Sequence, residues 1–319
     1  MVKLVITENE SNQRLDRFLR KYMKRAPLSM IYKLIRKDIK INGKRGKEDT
    51  ILNEGDELTL YIPDDKLKQL TMPIKKHTAR RNFTVVYEDE NILVVNKPSG
   101  LLTHGDAHEK KNTLVNQVYG YLQEKGEYNP ADSRAFSPAP ANRLDRNTSG
   151  LVIFGKKAEA LRQLTAIIRE RNTVNKIYKT IVCGCLDREL VLGDRLQKDE
   201  EHNKVHVAFG DDGKEALTYV YPVKAGKVLS IAEVKLVTGR THQIRVHLAN
   251  AGHPVAGDAK YGRKKINQWL QKDYGVNSQI LHACRLEFND VKGVLEYMSG
   301  KVLEAPLPQV FNEIMEVID

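Results

Sequence analysis

Apolar residues in the first sixty positions repeat with a helical period. Leu15, Phe18, Leu19 and Tyr22 fall at i, i+3, i+4 and i+7, which predicts a helix over 14–24 with one buried stripe. Pro27 interrupts the pattern. Ser29 is placed to cap a second helix over 29–37, with Ile31, Leu34 and Ile35 inward. Ile39-Lys40-Ile41 then alternates into Asn42-Gly43, a strong hairpin signal. A strand over 57–62 follows the turn Glu54-Gly55-Asp56. Together these predict a small unit spanning 1–62. Residues 63–82 carry Pro63, Pro73 and the basic pairs Lys75-Lys76 and Arg80-Arg81 without a sustained period, and read as a linker.

Beyond 82 the period switches between two and 3.6. Strands are predicted over 83–87, 92–96, 151–154, 177–183, 205–207, 217–223, 229–237 and 280–288. Helices are predicted over 113–124, 158–169, 242–251, 265–272 and 309–317. The two types do not alternate regularly, so 83–319 reads as an α+β domain rather than a doubly wound parallel sheet.

Charge adds a partner. The chain has 319 residues and a formal net charge of +11. Residues 1–82 hold 20 Lys and Arg against 11 Asp and Glu, so +9 of the excess sits in the first quarter and +2 in the rest. That asymmetry points to a polyanion, nucleic acid first, with a solubilising basic surface as the plain alternative. Strictly apolar runs stop at about four residues, as in Ile92–Val95, whereas a membrane span needs ~20. The first ten residues lack a secretory apolar core, and three cysteines make no disulfide scaffold. The compartment expected is the cytoplasm.

Three segments carry chemistry-bearing residues. Asp145 stands between Arg143 and Arg146, ahead of the turn Thr148-Ser149-Gly150. Guanidiniums close to a carboxylate favour its charged form, and such a group in a cleft can be a nucleophile, a base or a stabiliser of positive charge. An Asp capping its own turn is the plain alternative. Arg240 and Arg245 lie where Thr241 can cap a helix that ends before Gly252. A cation in the first turns gains nothing from the helix dipole. Either an anionic partner holds these arginines or they are solvated. Tyr178 alternates with Ile177 and Lys179 on a strand, where a half-buried tyrosine is ordinary. Cys183-x-Cys185, His104/His108 and His202/His206 lack the spacing or third ligand of a metal site, and no metal is expected. Phosphate-cradling glycine motifs and a nucleophile elbow are missing, so no nucleotide cofactor is expected.

Together these segments resemble a known family. Asn142–Leu151, N-R-L-D-R-N-T-S-G-L, resembles the signature of the RluA family of RNA pseudouridine synthases. Val94–Leu101 (V-V-N-K-P-S-G-L), Lys176–Gly184 (K-I-Y-K-T-I-V-C-G), the arginine block Thr238–Gly262 and Leu281–Phe288 follow in the family's order. Residues 12–62 resemble an S-four-type RNA-binding domain through R-L-D-R-F-L, L-I-R-K, I-N-G-K and a late G-D. Two positions depart from the pattern. Asn142 stands where the family usually has His, which is expected to alter local RNA contacts. Asp38 stands where Gly is common, which is expected to alter that turn. The second copy of R-L-D-R, at 14–17, runs into a helix stripe and is a coincidence of letters.

The resemblance implies a mixed, largely antiparallel sheet with the cleft across its middle. It implies Asp145 as the essential catalytic aspartate, Arg245 as its partner and Tyr178 as the residue that stacks on the base and serves as a general base. It implies Arg143 as an RNA-opening residue. Arg146, Arg240, Arg14, Arg17, Lys33, Arg36, Lys37 and Lys44 are the further RNA-facing candidates. The implied reaction is isomerisation of uridine to pseudouridine without a cofactor, by a monomer, most often on large-subunit ribosomal RNA. Asp145 either attacks the anomeric carbon or assists departure of the base through a glycal. A transfer-RNA-directed synthase of the same fold and a non-catalytic RNA-binding assembly protein are the alternatives.

Overall fold

The computed structural model describes residues 1–72, 79–130, 134, 136–199, 201–202, 204–208 and 212–318. Pro73 and the Lys75-Lys76 pair of the expected linker lie outside the described residues.

The basic N-terminal stretch forms strands β1 (Val2–Val5), β2 (Gln13–Arg14), β3 (Ile39–Ile41), β4 (Lys44–Arg45), β5 (Ile51–Leu52) and β6 (Glu57–Leu60). Helices α1 (Leu15–Tyr22) and α2 (Leu28–Lys37) accompany them. An antiparallel sheet of order β1-β6-β3-β4 takes one face of the helices. Leu15, Phe18 and Leu19 of α1 and Ile31, Leu34 and Ile35 of α2 meet Leu4, Leu58 and Leu60 in one core. Asn42 and Gly43 both take positive φ, 48° and 77°, as a tight hairpin between twisted strands requires. Asp38 closes α2 at φ −120°, a backbone that does not call for glycine.

Two expectations fail in this region. Helix α2 begins at Leu28, and Pro27 rather than Ser29 takes the capping place. Its carbonyl accepts from Met30 and Ile31, and its fixed φ suits the entry. The expected linker also contains a helix, α3 (Asp64–Thr71). Asp64 and Asp65 complement its N-terminus, and Leu67 is buried in the core just described. Two turns with one buried anchor are too short to show a period.

The rest of the described chain builds on one large sheet. Its strands are β7 (Thr84–Glu88), β8 (Ile92–Lys97), β9 (Ala139–Pro140), β10 (Ser149–Gly155), β11 (Val174–Cys183) and β12 (Leu190–Asp199). They continue with β13 (Lys204–Val207), β14 (Lys214–Lys224), β15 (Leu229–Leu236), β16 (Leu281–Phe288) and β17 (Val302–Glu304). Its helices are α4 (Leu114–Glu124), α5 (Ala158–Arg169), α6 (Gln243–Asn250), α7 (Lys264–Tyr274) and α8 (Gln309–Met315). The order is β13-β12-β14-β15-β11-β16-β10-β8-β7, with β17 on β16 and β9 on β10. Every ladder among the described residues is antiparallel except β10 with β16. The mixed α+β architecture is the one expected. Strand β12 was not, because L-V-L-G-D-R-L-Q-K-D breaks the apolar alternation with Gly193 and charges.

Central strands are covered on both faces. In β10, Val152 and Phe154 point to the core under α4, while Leu151 and Ile153 point to a second core under α5. That explains the unbroken apolar run L-V-I-F. The N-terminal unit meets this body at α5. Asn9 Oδ1 accepts from Ala158 N at 3.0 Å, so a side chain of the first unit caps a helix of the second.

Candidate active site

The loop 143–148 leads into β10 and is pinned through its backbone. Thr148 N–H closes a turn onto the Asp145 carbonyl at 3.1 Å. Thr103 Oγ1 donates to the Leu144 carbonyl at 2.9 Å, and Ser99 Oγ to that of Asn147 at 3.0 Å. Lys97 is fully buried and donates to the carbonyls of Pro98, Leu101 and Arg146 at 3.0, 2.7 and 2.9 Å. These three acceptors match the three hydrogens of an ammonium. Burial pulls the Lys97 pKa down to about 7, with the Asp145 charge acting the other way. Leu144 is buried beneath the loop, and the Asp145 side chain keeps 23% of its surface open.

Gly150, just past this loop, is required. It sits at φ 114°, and a Cβ there would lie 2.2 Å from the Ala283 carbonyl oxygen. Gly150 pairs with Ala283, Ala283 with Tyr178, Tyr178 with Val234, and Val234 with Val220. This row crosses the middle of the sheet. Its two smallest members, Gly150 on β10 and Ala283 on β16, come before Tyr178 in the row. Next to this row the register slips by one residue: Ile177 faces Arg285 and Tyr178 faces Ala283, which leaves Cys284 of β16 as a bulge beside the tyrosine.

Helix α6 brings the arginine. All residues from Gln243 to Leu248 are buried, so of the two alternatives for Arg245 it is the anionic partner, not solvent, that holds it. Arg245 Nε and Nη2 donate to the two oxygens of Asp258 at 2.7 and 2.9 Å. Its Nη1 donates to Asp145 Oδ2 at 3.0 Å. The Asp258 side chain is fully buried, and its Oδ1 also accepts from Lys260 N and Tyr261 N. Burial disfavours charge on both partners. Their hydrogen bonds and opposite charges outweigh it, holding Arg245 above and Asp258 below their ordinary ranges. The Tyr261 ring lies beneath the guanidinium, 5.2 Å from ring centre to Cζ.

The start of α6 corrects an expectation. Thr241 does not cap the helix; His242 occupies that place in the left-handed region, φ 52°, with no side-chain cap. A left-handed non-glycine residue costs about 1–2 kcal/mol. The preceding turn is locked instead by Gln243, whose Oε1 accepts from Thr238 Oγ1 and Arg240 N and whose Nε2 donates to the Leu217 carbonyl.

Tyr178 is 6% exposed and lines the same cleft as Asp145, Arg245 and His242. Burial and then the Asp145 charge push its phenol well above the ordinary range, so it stays protonated at neutral pH.

The sequence-flanking arginines do not pair with Asp145. Arg146 donates to Asp106 at 3.0 Å, while Arg143 is exposed at the cleft wall. The carboxylate is served by an arginine a hundred positions away. Arg240 is exposed at the rim, its Nε donating to the Glu215 carbonyl. Asn142 closes both ends of its amide on β10, donating to the Leu151 carbonyl and accepting from Ile153 N. Lys33, Arg36 and Lys37 come together with Arg45 around one exposed depression. Lys44 is exposed on the neighbouring hairpin strand. Arg14 is engaged by Asp16, and neither Arg14 nor Arg17 lines that depression. Lys97, His242, Asp258, Tyr261 and Arg45 were not singled out. Lys97, His242, Asp258 and Tyr261 were legible only as members of the matching blocks.

Residues 91–250 match the family model described as RNA pseudouridylate synthase. The chain belongs to the RNA pseudouridylate synthase family. Ribosomal large subunit pseudouridine synthase C of Buchnera aphidicola subsp. Baizongia pistaciae is 33% identical, over 98% of this chain and 96% of that protein. The protein of the same name from Escherichia coli K12 is 33% identical, over 99% and 96%. Human RNA pseudouridylate synthase domain containing 4 shares the fold, with TM-score 0.56 and 22% identity over 73% of this chain and 91% of that one. The synthase is therefore an RNA-modifying isomerase. Among its described residues no helix is long and apolar enough to cross a membrane.

Proposed function

We propose that this synthase converts uridines of large-subunit ribosomal RNA to pseudouridine with Asp145 as its catalytic carboxylate. The observation that carries the reading is the convergence of Asp145, Arg245 and Tyr178 in one cleft from three distant segments. Two relatives matched over nearly their whole length are named for the large ribosomal subunit, which supports the substrate.

The reaction breaks the bond from N1 to C1′, turns the uracil and joins C5 to C1′. C5 loses a proton and N1 gains one, so nothing is oxidised and no water is consumed. A hydrolase would need a second carboxylate to activate water. Here the second aspartate, Asp258, is fully buried and given over to Arg245. Asp145 keeps a fixed direction because Arg245 is held from behind, and fixed electrostatics cost no reorganisation during reaction. Asp145 serves either by attack at C1′ or by assisting loss of the 2′ proton to a glycal.

Tyr178 covers one face of the uracil. Its protonated phenol offers a ring and a hydroxyl rather than a phenolate base. The target nucleotide must leave its stack, which costs a few kcal/mol. Arg143 and Arg240 at the cleft wall, with Arg146 beside it, supply cations for the displaced backbone. The N-terminal unit, residues 1–62, is an S-four-type RNA-binding module followed by a basic joining segment to 82. Lys33, Arg36, Lys37, Lys44 and Arg45 meet phosphate there, with Arg14 at the end of β2 and Arg17 on α1. The enzyme acts as a monomer in the cytoplasm.

Pseudouridine mapping of ribosomal and transfer RNA from cells lacking the gene tests the reading. Loss of sites confined to large-subunit RNA is expected. Unchanged ribosomal sites, or losses confined to transfer RNA, would overturn it.

A further inference from the structure

Among the described residues only three other than glycine hold a positive φ, and two of them are asparagines. The third is His242, at the mouth of the cleft. Its side chain is 10% exposed, and its Nε2 stands 3.8 Å from Asp145 Oδ2. That is too long for a hydrogen bond and short enough to become one with a small advance of the carboxylate.

The proton on this ring can be placed by its neighbours. Tyr261 Oη accepts the Val205 N–H at 2.9 Å and lies 2.9 Å from His242 Nδ1. Among the described residues no other acceptor lies within hydrogen-bond distance of that hydroxyl, so the phenol's own proton goes to Nδ1. The imidazole proton is then on Nε2, facing Asp145.

We propose that His242 is a positioning residue: a neutral imidazole that presents its Nε2–H to the Asp145 carboxylate as this engages the nucleotide. The proposal rests on the reading that Asp145 is the catalytic group. A neutral donor is the suitable partner because Arg245 already places a full positive charge on Oδ2. A second cation would hold the carboxylate too firmly to work. The charged groups around the ring are Asp145, Arg245, Asp258 and Lys260, with Tyr261 at its Nδ1 side. Lys198 and the arginines Arg143 and Arg146 line the surrounding cavity. Burial leads in pushing the imidazole down to about 4, with Arg245 and Lys260 adding to it and the two carboxylates opposing. The backbone strain at His242 has the same explanation. An ordinary cap residue in extended backbone would satisfy α6, but would carry its side chain elsewhere.

Two variants separate the donor from the backbone. Asn tolerates left-handed backbone, yet its amide reaches only the Nδ1 level. Gln places an amide N–H near the Nε2 position. With the full-length protein and transcribed large-subunit ribosomal RNA, His242→Asn should lower the single-turnover rate about tenfold or more. RNA affinity should stay within about threefold. His242→Gln should return the rate to within about threefold of wild type and leave the pH profile from 5.5 to 8.5 unchanged. Nitrogen-15 NMR should show the neutral Nε2–H tautomer at pH 7. Equal rates for His242→Asn and wild type, equal impairment of both variants, an acid limb abolished by His242→Gln, or the Nδ1–H tautomer would each overturn the proposal. If wild type makes no pseudouridine, the reading of Asp145 fails instead, and the tautomer still decides the state of His242.

Discussion

Arg245 Nη1 reaches Asp145 Oδ2 at 3.0 Å while the rest of the same guanidinium is clamped by Asp258. The arginine is thus a fixed bridge between an open carboxylate and a buried one. Its direction is set within the protein by Asp258.

Asp258→Asn removes the charge that balances Arg245 in the interior. Breaking a buried pair from one side costs about 3–5 kcal/mol, so urea unfolding at pH 7 should show a loss of that order. The single-turnover rate should fall about tenfold or more as the guanidinium loses its clamp. The pH dependence has a definite sign. The folded carboxyl of Asp258 lies below its unfolded value of about 3.9, so its contribution is complete above that pH and fades as pH falls through the folded value. The difference between wild type and variant should be flat from pH 5 to 8 and shrink below about pH 4.

Lys97 gives the opposite kind of signal. It releases its proton at about 7 in the fold, against 10.5 for an ordinary lysine. Between these values the unfolded chain binds more protons. Burial of Lys97 therefore costs stability in full below pH 7, and the cost fades as pH rises. Compared with Lys97→Met, wild type should gain about 2–3 kcal/mol of unfolding free energy between pH 7 and 9. A pH-independent difference would contradict the assignment. The same variant should slow turnover, because the loop 143–148 loses its tie to the segment after β8.

The depression lined by Lys33, Arg36, Lys37 and Arg45 should report phosphate contact through salt. Each phosphate contact adds about 0.7–0.9 to the slope of log affinity against log salt. Replacing Arg36, Lys37 and Arg45 together by Ala should flatten that slope by about 2–3. An unchanged slope from 50 to 300 mM would remove the N-terminal module from RNA binding.

Local patterns carried most of the elements. The apolar run at 92–95, the strand pattern at 177–183 and the stripe Leu15, Phe18, Leu19, Tyr22 are patterns of near neighbours in sequence. They became β8, β11 and α1 with ends moved by a few residues. What escaped was short or polar: β1 with four residues, α3 with one anchor, β12 with Gly193 and its charges. The site was legible only as far as the matching blocks named its members. Adjacency pointed to Arg143 and Arg146 as the partners of Asp145, whereas folding delivered Arg245 from 100 positions away. No spacing rule reveals such a pair, nor the left-handed His242 that stands where Thr241 looked the better cap.

If the Asp145 carboxylate is the catalytic group, no pseudouridine forms without it. Single-turnover formation of pseudouridine by purified wild type and Asp145→Asn, on unmodified large-subunit ribosomal RNA, tests it most directly. The Asn side chain keeps the shape and can still accept from Arg245, so RNA binding should stay within about threefold. Product should form with wild type and be undetectable with the variant. Turnover by Asp145→Asn within tenfold of wild type would contradict the claim.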